Sequence, residues 1–341
     1  MSFNRLVIPV LKIGISAGIL AYLAIQAQSN AVFADLVDRP KRWGFLAAAA
    51  CAFLTAVLLT LVRWYYLVRA LGLDFSLREA LRLGFLGFLF NLAPMGIVGG
   101  DLLKAVMLAR QQPGHRAEAL VTVFVDRVIG LYVLFLVALA AIHLTGMWHL
   151  DVPSVQWTCQ GVVVLAVAGT IGVIVPLAPD LTRGKSTEWA GRIPGVGPAL
   201  KRIILAVRMY RLKLPVLLAC CLMTVAVHSL FALVVYWIAG GLYAHHHRLD
   251  THFVVVPVSA ATQVLPINLG PFEAALDILY ADIPLPNGSH MARGQGLVVA
   301  LAYRVISLGI AVIGVCYYLG SRRELSDALH EAQREPSNGP S

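Results

Sequence analysis

Two arginines lie inside long apolar runs of this sequence, Arg127 in "VDRVIGLYVL" and Arg304 in "AYRVISLGIA". An arginine near the middle of a membrane helix costs roughly 2.5 to 3.5 kcal/mol on insertion scales, so it normally faces other helices and has a partner. The candidate partners are Asp101, Asp126 and Glu273. Because a planar guanidinium binds phosphate as well as carboxylate, these arginines could hold an anionic ligand or form structural ion pairs.

Two of these acids, Asp101 and Glu273, lie at interruptions of the apolar pattern, "NLAPMGIVGGDLLKA" and "LPINLGPFEAAL". Irregular backbone at membrane depth leaves polar groups without partners, so it persists only where it is buried in protein or lines a wet cavity. We therefore predict a substrate-binding site at these breaks. Its predicted residues are Asn91, Pro94, Gly99, Gly100, Asp101, Asp126, Arg127, Pro266, Asn268, Gly270, Glu273 and Arg304.

Each break is followed by a short predicted helix. Gly99 and Gly100 permit close approach and unusual dihedral angles, and Asp101 is a favourable N-cap. In the second break, Gly270 is a turn residue and Glu273 falls in the first turn of the helix that follows. Because helix N-termini attract anions, both breaks are candidate positions for an anionic group.

The composition is that of an integral membrane protein. Hydrophobic residues make up 59% of the 341 residues and charged residues 13%, with a mean hydropathy of +0.77. An ordinary soluble domain has a charged fraction of about a quarter, so this class is excluded. Runs of about 20 apolar residues can cross the hydrocarbon core. The predicted spans are residues 6–27, 43–67, 118–142, 155–178, 214–241 and 296–319.

Two further apolar regions, residues 77–110 and 252–281, contain the breaks. The predicted legs are residues 77–92 with 101–110 and residues 252–265 with 271–281. Each leg is too short to cross a bilayer by itself. We therefore predict two re-entrant helical hairpins.

The distribution of lysine and arginine predicts the orientation. With both termini in the cytoplasm, most basic residues fall inside, including Arg63 at the end of the second span, the loop 179–213 and the tail 321–341. This arrangement requires the first hairpin to enter from the cytoplasm and the second from the exterior. The stretch "KRIILAVRMYRLK" has apolar residues at helical spacing, and we expect it to lie on the inner membrane surface against anionic lipids. The flanking spans argue against nucleic-acid binding.

The two breaks belong to an internal repeat. Each copy has a proline, a glycine and an acid, and then a helix with Arg-Val-Ile-small-Leu, as in "DRVIGL" and "YRVISL". The predicted halves are residues 1–150 and 151–320, followed by a polar tail. The charge distribution gives the halves opposite orientation, and inverted repeats with broken helices are a transporter architecture. The predicted fold is an all-α polytopic membrane protein with six spans, two re-entrant hairpins and an inverted repeat.

The motifs "APMGIVGGDLLKAVMLAR", "DRVIGL", "LPINLGPFE" and "YRVISL" resemble those of the lysylphosphatidylglycerol synthase transmembrane family, over about residues 10 to 320. The resemblance implies an eight-segment membrane unit that acts as the lipid flippase in the two-part aminoacyl-phosphatidylglycerol enzymes. It also implies that Asp101, Arg127, Glu273 and Arg304 line the lipid path. The short tail leaves no room for the aminoacyl-transfer domain, so the chain resembles stand-alone members, which look like lipid or hopanoid transport proteins.

Two classes of function remain open. The first is a flippase or transporter of an anionic or phosphate-bearing lipid in the cell membrane, the inner membrane where there are two. Its binding site is expected at the bilayer midplane. Phospholipid, polyprenyl-phosphate or hopanoid-type lipids are the candidate ligands, and a separate lipid-modifying enzyme is a possible partner. The second is a membrane-embedded transferase, or an accessory subunit, that acts on a lipid-linked substrate. We find no acidic cluster outside the breaks, which favours transport, and we predict no cofactor and no metal; the histidines 245–247 are expected in a solvated loop.

Overall fold

The computed structural model describes residues 4–29, 32, 40–92, 99–177, 191–192, 197–265 and 269–320. Within these ranges the regular elements are helical, as predicted, and no strand is present. The described α-helices are α1 (Asn4–Ser29), α2 (Trp43–Ala70), α3 (Leu77–Leu92), α4 (Gly100–Gln111), α5 (Arg116–Thr145), α6 (Pro153–Leu177), α7 (Gly197–Met209), α8 (Leu214–Leu242), α9 (Leu249–Ala261), α10 (Pro271–Asp282) and α11 (Gln295–Gly320).

Five of these helices, α2, α5, α6, α8 and α11, are long and apolar enough to cross a membrane. They coincide with five of the six predicted spans, because an uninterrupted apolar run of this length favours a helix that satisfies its own backbone. The other predicted span, residues 6–27, falls on α1. This helix has 26 residues but is not among the five, so the sixth span stays a prediction.

The two interrupted regions each form a pair of short helices. The helices α3 and α4 have 16 and 12 residues, and α9 and α10 have 13 and 12. Within each pair the two helices pack against each other. All four are shorter than the roughly 20 residues needed to cross a bilayer. The predicted leg boundaries agree with the observed helix ends to within three residues, once the short 3-10 turn Thr262–Val264 is counted with α9.

The chain divides into two compact units. Unit 1 comprises Met1–Val57, Val133–Ala166 and Val225–Gly309, and unit 2 comprises Leu58–Tyr132, Val167–Thr224 and Ile310–Ser341. Each of the five long apolar helices contributes one end to each unit. By contrast, α3 and α4 belong entirely to unit 2, and α9 and α10 entirely to unit 1.

In unit 2, the first helix pair packs closely because small residues face each other. A Cβ atom at Gly100 would overlap the backbone of Gly87, and one at Gly87 would meet the Lys104 side chain. Glycine at both positions therefore lets α3 and α4 approach at backbone distance. The surrounding core includes Trp64, Val68, Phe75, Leu83, Leu86, Leu103, Leu108 and Val123.

In unit 1, α10 packs against the start of α11 in the same manner. A Cβ atom at Gly296 would lie 2.5 Å from the Cα atom of Asp277. The rings of Phe272 in α10 and Tyr303 in α11 are also in contact, tilted by 32° with centroids 5.3 Å apart. The second helix pair is thus held against α11, the helix that carries Arg304.

Candidate functional site

At the first break, a side chain of α3 accepts a hydrogen bond from the start of α4. The Asn91 Oδ1 atom, at the end of α3, accepts a hydrogen bond of 2.8 Å from the backbone N–H of Gly100. Gly99 is the N-cap of α4 and makes no side-chain cap bond, so the prediction that Asp101 is the N-cap is wrong. Asp101 is the second residue of α4, and Asn91 supplies the acceptor for the first N–H of the helix.

Asp101 instead lies between two cations. Its Oδ2 atom pairs with Arg127 Nη2, and its Oδ1 atom lies 3.1 Å from Lys104 Nζ. The Lys104 ammonium also lies 5.1 Å from the centre of the Trp64 ring, within the range of a cation–π interaction. One carboxylate between two cations leaves one positive charge in excess. The Arg127 side chain is 57% exposed and that of Asp101 28%, so this excess charge is accessible.

At the second break, both carboxylate oxygens of Glu273 accept hydrogen bonds. Oε2 accepts a hydrogen bond of 2.8 Å from the Gly270 N–H, and Oε1 accepts one of 2.7 Å from Arg304 Nε. Gly270 has φ of +106°, which favours glycine, and it precedes Pro271 at the start of α10. The guanidinium of Arg304 lies over the Phe272 ring at 5.6 Å.

The two breaks share an arrangement but differ in exposure. In each, an acid in the first turn of the second short helix pairs with an arginine on the next long helix. The structure thus brings Arg127 to Asp101 and Arg304 to Glu273. However, the Glu273 side chain is 1% exposed and that of Arg304 17%, with the two charges balanced. The Glu273–Arg304 pair is therefore mostly shielded from solvent and its two charges cancel. The cluster of Asp101, Lys104 and Arg127 is partly exposed and has a net positive charge.

Asp126, the third predicted acid, pairs with a residue that the sequence analysis placed elsewhere. The Arg63 Nε atom donates a 2.8 Å hydrogen bond to Asp126 Oδ1, and Arg63 Nη1 donates one of 2.8 Å to Thr224 Oγ1. All three side chains are buried in unit 2. The sequence analysis gave Arg63 no partner, whereas the structure gives it Asp126 and Thr224 as buried partners. In the sequence, Arg63 lies within the apolar run 43–67 and Asp126 within the run 118–142. Two opposite charges inside predicted spans could have indicated a buried ion pair.

Three predicted site residues, Pro94, Pro266 and Asn268, lie outside the described residues. The others are placed at or next to the two breaks, except for Asp126. No group of three or more histidine, cysteine, aspartate or glutamate side chains arranged to hold a metal occurs among the residues that the structure describes.

The histidine loop is less exposed than the sequence suggested. His247 is buried, and its Nε2–H donates a hydrogen bond of 2.9 Å to the Tyr280 carbonyl of α10. Burial lowers the pKa of the His247 imidazole. The expectation of a solvated loop is therefore wrong for His247, which packs against the second helix pair.

A family model described as the lysylphosphatidylglycerol synthase TM region matches residues 10–314 of the chain. The chain belongs to this family. The match includes both breaks and both arginine-bearing helices, so the assignment made from the four motifs is confirmed. As a member of the lysylphosphatidylglycerol synthase TM-region family with five candidate spans, the chain is a multi-pass membrane protein, consistent with a lipid-related role. A search of curated proteins found no match.

Proposed function

We propose that this chain is a membrane lipid transporter, a flippase, for an anionic or phosphate-bearing lipid. The observation that carries the proposal is the open, positively charged cluster at the first break, where Asp101 lies between Lys104 and Arg127. Arginine has five N–H donors, and one carboxylate does not satisfy them all. A phosphate can therefore replace or join Asp101 on Arg127 as the headgroup enters.

The two breaks have different roles in this proposal. A ligand must reach its binding group, and Arg127 is 57% exposed whereas Arg304 is 17% exposed and its partner Glu273 is buried. We assign headgroup binding to Arg127; Lys104, whose side chain is 9% exposed, adds positive charge beside Asp101. The Glu273–Arg304 pair holds the start of α10 against α11, and it joins the lipid path only when the second helix pair moves.

The topology is part of the same proposal. We propose that both short-helix pairs are re-entrant hairpins in an inverted repeat of residues 1–150 and 151–320, with binding near the midplane and both termini in the cytoplasm. The lengths of the four short helices support this. The division into units supports it too, because each long apolar helix is shared between the units while each short pair stays within one.

The lipid class follows from the charge of the first cluster. Phospholipids and polyprenyl phosphates share a phosphate that a guanidinium binds with paired N–H donors. The excess positive charge favours such a headgroup over a neutral one. A separate lipid-modifying enzyme would supply or consume the transported lipid at the membrane surface.

Reconstitution in liposomes tests the proposal. The purified chain is reconstituted with a headgroup-labelled anionic phospholipid, and the fraction of label that becomes accessible on the opposite leaflet is followed over time. We expect Arg127→Gln to slow translocation about tenfold or more, since a hydrogen bond to a charged group contributes about 1.5 to 3 kcal/mol. Arg69→Gln is the matched control, because Arg69 is another partly exposed arginine of unit 2 and is paired with Asp74.

Two results would contradict the proposal. If Arg127→Gln translocates the labelled lipid at the wild-type rate, Arg127 is not part of the lipid path. Formation of a modified lipid without any movement of label would instead identify a membrane-embedded transferase. Unfolding temperatures measured in parallel show whether a slow variant is folded.

A further inference from the structure

A second candidate site is an apolar cavity in unit 2. Its volume is about 520 Å³, within the range of about 300 to 1,000 Å³ that is typical of ligand pockets. One face of α5 lines it, together with the end of α6, Val207 of α7 and the first turns of α8, and none of these lining side chains is charged. Leu214 and Leu218 of the α8 wall are exposed. Because both belong to a candidate membrane span, the cavity opens into the hydrocarbon region, where a lipid chain can enter.

Basic residues lie at the corner between two walls of this cavity. Val207 and Leu214 both line it, so the short segment between them lies at its edge. Three residues of this segment are basic, Arg208, Arg211 and Lys213, and each is at least partly exposed. Among the residues that the structure describes, no acidic side chain pairs with any of the three. We call these three residues the basic rim, and its positive charge is not neutralised by a described carboxylate.

The exposed apolar residues of α7 and the turn after it place the basic rim at the membrane surface. Leu205, Met209 and Leu212 are exposed and recur at helical spacing, so they form one apolar face. The buried Tyr210 hydroxyl donates a hydrogen bond of 3.0 Å to the Leu67 carbonyl, which holds α7 against α2. A basic helix with an exposed apolar face lies in the interfacial plane, with its cations at the level of the lipid phosphates. The rim therefore lies at headgroup level beside a cavity for hydrocarbon.

We infer that this cavity binds one acyl chain of an anionic phospholipid whose phosphate lies on the basic rim. The chain contacts the apolar walls, and the phosphate accepts hydrogen bonds from Arg211 and Lys213. The cavity alone would admit a chain of any lipid, so the unneutralised charge of the rim selects the anionic headgroup. Val128 and Ile129 line the cavity but Arg127 does not, so this site is distinct from the proposed headgroup site and does not depend on the proposed transport function.

A comparison of two phospholipids tests the inference. Phosphatidylglycerol and phosphatidylcholine both carry a phosphate, but only phosphatidylglycerol has a net negative charge. Each lipid, with identical acyl chains, is added to the full chain in detergent, and binding is measured by native mass spectrometry. The chain carries Arg127→Gln, so that the proposed headgroup site does not contribute. We expect phosphatidylglycerol to bind about tenfold or more tightly, since each basic residue at the membrane surface adds to the attraction. Equal binding of the two lipids would overturn the inference.

Two matched double variants show whether the basic rim holds the headgroup. Arg211→Gln with Lys213→Gln removes two cations of the rim. Arg192→Gln with Lys201→Gln removes an exposed arginine and an exposed lysine that precede the rim in the same basic segment. We expect the first variant to bind phosphatidylglycerol about tenfold more weakly, and the second to change this binding by less than about threefold. Equal losses would indicate diffuse attraction to the whole basic segment and would overturn the inference.

A further pair of variants shows whether the cavity holds the acyl chain. Leu218 and Leu222 both lie in α8 and are both 63% exposed, but only Leu218 lines the cavity. Because these side chains are on the surface, both tryptophan variants should fold. We expect Leu218→Trp to bind phosphatidylglycerol about tenfold more weakly than Leu222→Trp, since the larger side chain displaces methylene groups of the lipid. Equal binding by the two variants would show that the acyl chain is not in this cavity.

Discussion

The two arginine–carboxylate pairs at the breaks have the same residue chemistry but different exposure. A partly exposed arginine such as Arg127 can exchange its carboxylate for a ligand at little cost, since exposed ion pairs contribute only about 0 to 1 kcal/mol. A buried pair such as Glu273 and Arg304 cannot, because separating it leaves an unpaired charge in a medium of low dielectric constant. Exposure, more than residue identity, is therefore the basis for proposing Arg127 and not Arg304 as the lipid-binding arginine.

The first prediction concerns Arg304. We expect Arg304→Gln to lower the free energy of unfolding by roughly 3 to 5 kcal/mol, because Glu273 stays buried without its cation. Arg127→Gln should change it by about 1 kcal/mol or less. Denaturant unfolding of the purified protein measures both. The double variant Glu273→Gln with Arg304→Gln should recover part of the loss, since the new amide oxygen can still accept the Gly270 N–H. Equal effects of the two single variants would contradict this distinction.

The second prediction concerns the buried pair of Arg63 and Asp126. We expect Asp126→Ala to destabilise the protein by roughly 3 to 5 kcal/mol, because Arg63 then remains charged inside unit 2. The double variant Arg63→Met with Asp126→Leu should lose less than the sum of the single variants. A double-mutant cycle on unfolding free energies measures the coupling. Additive losses would mean that the two side chains do not stabilise each other.

At the scale of the elements, glycines determine how closely the short helices pack. Gly87 and Gly100 bring α3 and α4 to backbone contact, and Gly296 does the same for α10 and α11. Close packing matters here because helices in lipid associate mainly through van der Waals contact between small residues. The position of each acid relative to its arginine depends on these contacts.

The third prediction tests one of these contacts. We expect Gly100→Ala to destabilise unit 2 by about 1 to 3 kcal/mol or more, because the added methyl group overlaps the Gly87 backbone. Gly172→Ala in α6 is the matched control, since its Cβ atom would meet nothing within 4 Å. There the substitution should stabilise by up to about 1 kcal/mol through helix propensity. Thermal unfolding distinguishes the two, and a Gly100→Ala protein as stable as Gly172→Ala would refute the close-packing account.

At the scale of the whole molecule, each pair of short helices lies entirely within a single compact unit. Unit 2 holds the ends of α3 and α4 together with the basic helix α7, whereas unit 1 holds α9 and α10. This grouping agrees with the charge distribution along the sequence. A re-entrant hairpin returns to its own side, and a pair of helices that together cross the bilayer does not.

The fourth prediction distinguishes these two topologies. In a variant with its native cysteines replaced, single cysteines are placed at Asp74 and His115, on either side of the first pair, and at His245 and Asn287, on either side of the second. All four positions are exposed. We expect the first two to react with a membrane-impermeant maleimide only from the cytoplasmic side and the last two only from the exterior, as the charge asymmetry requires. Labelling of Asp74 and His115 positions from opposite sides would show that α3 and α4 cross the membrane.

The amino-acid sequence determined the local structure of this protein. The five long apolar helices, the two breaks and the ends of the short helices follow from the length of each apolar run and from glycine and proline, which act on the few residues around them. The family assignment also followed from the motifs, whose order along the chain is itself a property of the sequence.

Only the tertiary structure decided which charges meet and which of them are exposed. Asp126 pairs with Arg63 instead of Arg127, Asn91 instead of Asp101 caps α4, and Asp277 caps α11 across a turn. These contacts join residues from different helices, so they depend on how the helices pack side by side. Periodicity and composition describe each helix alone, and an ion pair between two helices depends on the distance between them.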